Sequence, residues 1–158
     1  MGLAQDAFTK IFRHSRTLAA GCPLKISFKG VEIVDVHFVI YSVVRLSQVL
    51  NGERLVHLVD LSDAVLRTVH ASAFLQKLPM RANGRLIGPT LGDVPSLIYN
   101  YVEKNGDTFV RQVVMECDIS AQHASGVLRS LFKKGLLARA PMIAESGGVE
   151  FVYSMGSK

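Results

Sequence analysis

From residue 95 onward the apolar positions follow two successive spacings. Over residues 95–134 they recur every three or four positions, as on a helix with one buried face, and after Gly135 they recur every second position, as on a strand. Pro95-Ser96 opens the first predicted helix, because the fixed φ of proline suits a first helical turn. Leu97, Ile98, Tyr101 and Val102 share one side of it, and Asn105-Gly106 supplies the left-handed stop. A second helix is predicted over residues 108–116, capped by Asp107 or Thr108, with Phe109, Val113 and Val114 inward. Cys117-Asp118-Ile119 reads as a short turn whose Ile119 fills the angle between helices. Ser120 is a good cap for a third helix over 121–134, where Ala124, Val127, Leu128 and Leu131 form the buried stripe. Residues 136–139 then read as a strand, Glu145-Ser146-Gly147-Gly148 as a turn, and residues 149–153 as the returning strand.

The first half is less regular. Residues 4–20 form a basic amphipathic pattern, with Phe8, Ile11, Phe12 and Leu18 on one side and Lys10, Arg13 and Arg16 elsewhere, ended by Gly21. Such a helix suits docking on a partner subunit or, less well, lying on a membrane surface. Residues 24–28 alternate like a strand, Gly30 interrupts, and residues 31–40 are predicted as a second strand. Asn51-Gly52-Glu53 and Asp60-Leu61-Ser62 echo Asn105-Gly106-Asp107 and Asp118-Ile119-Ser120, and a long helix is predicted over 62–78. Asn83-Gly84 signals a tight hairpin flanked by Arg81 and Arg85.

The run Asp118-Ile119-Ser120, Val127-Leu128, Leu131, Gly135-Leu136-Leu137 resembles the recognition-helix signature of the MarR-like and GntR-like winged helix-turn-helix regulators. The resemblance covers about residues 95–155 and points to a superfamily. One departure is Gly126, which stands where such proteins often carry a polar or basic residue. A mid-helix glycine costs about 1 kcal/mol relative to alanine, so either something packs closely there or the backbone approaches DNA. The resemblance implies an α+β, mainly helical chain. A winged helix over 93–158 would follow an N-terminal domain over 1–92, which is either a dimerisation or effector domain or, from the echo, a first, degenerate winged helix at about 41–88.

Charge placement sharpens the functional expectation. The net charge is +5, and the segments between Asp63 and Asp93 and between Asp118 and Glu145 each hold four basic residues and no acid. The resemblance implies that the third helix enters the major groove of DNA. Gln122, His123, Ser125 and Arg129 would then face base edges, for glutamine suits adenine and arginine suits guanine. Ser120, Lys133, Lys134 and Arg139, with Arg67, Arg81 and Arg85 of the first basic segment, would contact phosphates, the wing being basic. The plain alternative is a solvated polar face or a winged-helix scaffold for protein contacts.

The remaining chemistry is sparse. There is no phosphate-binding glycine loop, zinc-protease motif or nucleophile elbow. Asp35 and His37 would share a strand face, but a histidine beside a carboxylate is usually structural. Cys22 and Cys117 lack metal-ligand spacing and read as free thiols. No stretch of eighteen apolar residues occurs and no signal pattern is present, so a cytoplasmic protein is expected. The sequence therefore predicts a non-enzymatic, cofactor-free regulator that binds double-stranded DNA as a homodimer. A plasmid or phage replication or partition protein is the contextual variant.

Overall fold

Two sets of buried apolar side chains organise the chain, one between Leu24 and Ile87 and the other between Ile98 and Tyr153. The computed structural model describes residues 2–156 and is α+β. The first set belongs to α1 (Leu3–Ser15), β1 (Leu24–Ser27), α2 (Val36–Val39), a π-helical turn (Ile40–Val44), α3 (Arg45–Leu50), β2 (Val56–Val59), α4 (Asp63–Leu75), β3 (Met80–Ala82) and β4 (Arg85–Ile87). The strands lie in the order β1-β2-β3-β4, the first three mutually parallel and the last antiparallel. Parallel neighbours require crossover connections; the α2–α3 segment carries the chain from β1 to β2, and α4 carries it from β2 to β3. Strand alternation sends Leu24, Val56, Leu58, Met80, Ala82 and Ile87 into the core with Val39, Val43, Leu46, Val65 and Val69 from the helices. The opposite sheet face carries a cross-strand row of Lys25, His57 and Arg81.

Several expectations fail here for identifiable reasons. Residues 31–40 are not a strand. The Asp35 carboxylate accepts a 2.7 Å hydrogen bond from the Phe38 backbone N–H and starts a helix through the following apolar run. His37 consequently lies against Tyr41, the rings tilted by 44° with centroids 4.4 Å apart, and does not share a strand face with Asp35. Residues 41–88 do not repeat the C-terminal unit, because the place of a second helix is taken by β2, paired on both sides within a parallel sheet. The helix predicted over 62–78 spans Asp63–Leu75, with the Ser62 hydroxyl accepting from the Val65 N–H. Asn83-Gly84 does form a two-residue hairpin loop, both residues at positive φ. The amphipathic α1 covers the chain's own core with Phe8, Ile11 and Phe12. Arg45 lies over the Phe8 ring and Arg16 over the Phe12 ring.

The second set is built from α5 (Asp93–Asn105), β5 (Thr108–Phe109), α6 (Val110–Cys117), α7 (Ala121–Lys133), β6 (Ala138–Ile143) and β7 (Val149–Ser154), with strand order β5-β7-β6. The helix predicted from residue 108 starts two residues later, since Thr108 and Phe109 pair with Tyr153 and Val152. The Gln112 side chain instead reaches back to accept from the Phe109 N–H at 2.8 Å. Asp118 turns the chain at φ 50°, Ile119 packs against the core, and Ser120 caps α7 by accepting from the His123 N–H. Ile98, Val102, Val113, Ala124, Leu128, Leu131 and Leu137 fill the interior.

The two units touch closely. A Cβ added to Gly52, at φ +87°, would lie 2.3 Å from the Phe132 carbonyl oxygen near the end of α7. Arg81 reaches from its own sheet to the second unit: it donates to the Tyr99 hydroxyl at 2.6 Å and pairs with Glu103 at 3.0 Å, both on α5.

Candidate nucleic-acid interface

Helix α7 owes its orientation to its buried stripe, and the residues opposite that stripe face outward. Gln122, His123, Gly126, Arg129, Ser130 and Lys133 are exposed. Among the described residues the side chains of Gln122, His123 and Arg129 have no hydrogen-bond or ion-pair partner, which leaves their polar groups available to a ligand. Ser125, expected on the same face, is half-buried, one step round the helix toward the packed side. Ser120 is exposed, but its hydroxyl accepts the capping hydrogen bond at 3.1 Å. A Cβ at Gly126 would find nothing within 4 Å. Close packing within the chain therefore does not account for this glycine.

Arg129, Lys133 and Lys134 line a cleft of about 500 Å³ with Ser47, Gln48 and Asn51 from the end of α3. Among the described residues none of these cations has an ion-pair partner and no carboxylate lines the cleft. The cations expected at the C-terminal end of α7 are thus together, with residues of the N-terminal unit opposite them. That neighbourhood was not legible from periodicity, since it depends on the long-range approach of Gly52 to Phe132.

The other expected phosphate contacts divide. Arg67 and Arg85 are exposed and share a separate surface depression with His70. The His70 Nδ1 accepts from the Gly88 N–H at 3.1 Å. Arg81 is only 20% exposed and is committed to Tyr99 and Glu103, so it is an inter-unit tie and not a surface cation. Its guanidinium, with Lys25, also acts on His57: burial first, and then these two charges, hold the imidazole below the usual histidine range. Tyr99 is pushed up by burial, against the opposing pull of Arg81.

The β6–β7 hairpin differs most from expectation, for it is not basic. Arg139 is its one cation, and the guanidinium is sandwiched between the Phe132 and Phe151 rings at 4.2 and 4.4 Å. Glu145 and Glu150 are the acids, Glu150 being paired with Arg111 at 2.9 Å. Beyond them the hairpin displays Ile143 and Val149 as a cross-strand pair, 86% and 71% exposed, beside Met142. Alternation placed Val149 on a strand, but the strand expected over 136–139 runs instead over Ala138–Ile143, so Met142 and Ile143 lie on a longer hairpin than expected. Alternation also carried no information on which face of the hairpin meets another element.

No group of three metal-ligating side chains lies close together among the described residues, and Cys22 and Cys117 are free thiols. No described helix is long and apolar enough to cross a membrane. Neither family models, curated proteins nor solved structures give a match to the chain.

Proposed function

We propose that residues 93–156 are a winged helix-turn-helix and that the protein is a homodimeric, sequence-specific regulator of transcription that binds double-stranded DNA. The element order, with a two-residue strand between the first and second helices and strand order β5-β7-β6, supports the winged-helix reading. The observation that carries the functional reading is the outer face of α7, where Gln122, His123 and Arg129 are exposed and unpartnered beside Lys133 and Lys134. In a major groove these side chains offer amide, imidazole and guanidinium groups to base edges, and the lysines meet phosphates. The open backbone at Gly126 lets that face approach a duplex closely.

A second reading draws on a specific feature, the apolar hairpin tip of Met142, Ile143 and Val149. A wing of this kind suits contact with another protein better than contact with phosphates.

A gel shift with wild-type protein beside a Gln122→Ala/His123→Ala/Arg129→Ala variant separates the two. Wild-type binding that weakens steeply with salt and is lost in the variant is expected. No binding at low salt ends the DNA reading, and equal binding by the variant moves the contact away from α7, to the Arg67/Arg85 surface.

A further inference from the structure

The cleft between α3 and α7 combines three features that together describe an anion site. First, Arg129, Lys133 and Lys134 all line it, with no carboxylate partner among the described residues. Two helix C-termini also point here and oppose an anion. Each contributes about −0.5 of a charge, which leaves the cleft at about +2. Second, the facing wall supplies neutral hydrogen-bonding groups, the amides of Gln48 and Asn51. Third, Ser47 on that wall is only 7% exposed, and its Oγ is buried with no hydrogen-bond partner among the described residues. Buried hydroxyls are normally satisfied, and a serine within a helix usually bonds back to a carbonyl of the previous turn. At about 500 Å³ the space admits a group well beyond a single water.

We propose that this cleft binds a phosphate group, gripped from α7 by the three cations and from the N-terminal unit by Gln48 and Asn51, with the Ser47 hydroxyl turning about χ1 out of its buried position to join them, so that the ligand bridges the two units. The phosphate belongs either to a free phosphorylated compound or to the backbone of a duplex. The site stands on the geometry of the cleft and does not need base reading by Gln122 and His123, but it shares Arg129 with the proposed DNA-reading face and, when occupied, turns that guanidinium from a base edge to the phosphate.

The test uses full-length protein, inorganic pyrophosphate as the probe, and sodium chloride at matched ionic strength as the control. Gln48 is exposed, so Gln48→Glu places a competing carboxylate in the cleft without disturbing the core. Pyrophosphate is expected to raise the wild-type Tm by about 2–4 °C beyond the salt control, with the shift abolished in Gln48→Glu. The same two proteins are titrated with a labelled 20-base-pair duplex. A pyrophosphate effect lost in the variant, with equal duplex binding, assigns the site to a free phosphate compound. A duplex affinity reduced tenfold or more by the variant, with a shallower salt dependence, assigns it to the DNA backbone. If neither ligand distinguishes wild type from variant, the proposal is overturned. Should no duplex bind while the pyrophosphate effect persists, the DNA reading fails and the phosphate site stands. Ser47→Ala adds an independent measurement: unchanged or higher stability without ligand and a weaker pyrophosphate effect are expected. A loss of ligand-free stability would assign Ser47 to the fold and remove it from the site.

Discussion

Replacing Gly126 by alanine puts one methyl group on the outer face of α7, at a position where a Cβ meets nothing within 4 Å. Intramolecular strain therefore contributes nothing, and the backbone there is helical, within Ala121–Lys133. Two terms remain. Alanine is favoured over glycine in a helix interior by about 1 kcal/mol, and part of that gain comes from the reduced freedom of the unfolded chain. A change of this size corresponds to a rise in Tm of about 2–4 °C for a chain of this length, or about 0.5 M in the urea midpoint. Urea unfolding followed by circular dichroism measures it directly. The same variant carries the opposite expectation for DNA: a methyl group between Gln122 and Arg129 keeps the duplex off the backbone and weakens binding about tenfold. A Tm that falls refutes the open-space reasoning, because something must then pack against Gly126. A stabilised variant with undiminished DNA affinity would leave the glycine without a binding role.

Further outcomes follow from other contacts. Gly52→Ala drives a Cβ into the Phe132 carbonyl at an unfavourable positive φ, and a loss of at least about 2 kcal/mol is expected; a Tm within 1 °C of wild type would contradict that approach of the units. Arg139→Ala removes the stack on Phe132 and Phe151 and should cost about 1 kcal/mol. It should leave the salt dependence of DNA binding unchanged, whereas Lys133→Ala should reduce the log–log slope by about 0.9; equal effects on the slope would restore Arg139 as a phosphate contact. His57 has a lowered pKa in the folded protein, so the unfolded chain takes up its proton first as pH falls. Its contribution is complete above the ordinary value of about 6.5 and is lost below it. The urea midpoint of wild type should therefore fall more between pH 8 and 5.5 than that of His57→Gln, and parallel curves would count against the burial argument.

How much of this was legible depended on whether the signal was local. The Ser120 cap, the 124/127/128/131 stripe and the glycine stop at 135 define α7 within sixteen residues, and the Asn83-Gly84 loop fixes its hairpin by backbone preference alone. The run Val36-His37-Phe38-Val39-Ile40 was ambiguous, because a short apolar stretch suits strand or helix until the Asp35 cap is weighed. β2 was missed because the Asn51-Gly52 and Asp60-Leu61-Ser62 punctuation invited comparison with the C-terminal unit, while the paired context that makes Val56–Val59 a strand lies in other segments. For the candidate site, residue types on the outside of α7 could be read, but the internal commitments of Arg81 and Arg139 could not. Both depend on partners from distant positions, Tyr99 and Glu103 for one and Phe132 and Phe151 for the other.

The parallel pairing of β1 with β2 also sets the order in which the protein can assemble. β1 is made early, yet Leu24 must wait for Val56 before its ladder can form, and β2 in turn waits for β3. The C-terminal unit carries a long closure of its own, since Thr108 must wait for Tyr153, so loop-closure entropy is met in both halves of the chain. During synthesis the later half emerges after the earlier one. The approach of Phe132 to Gly52 then completes the molecule, and a chain stalled before residue 132 presents that turn uncovered.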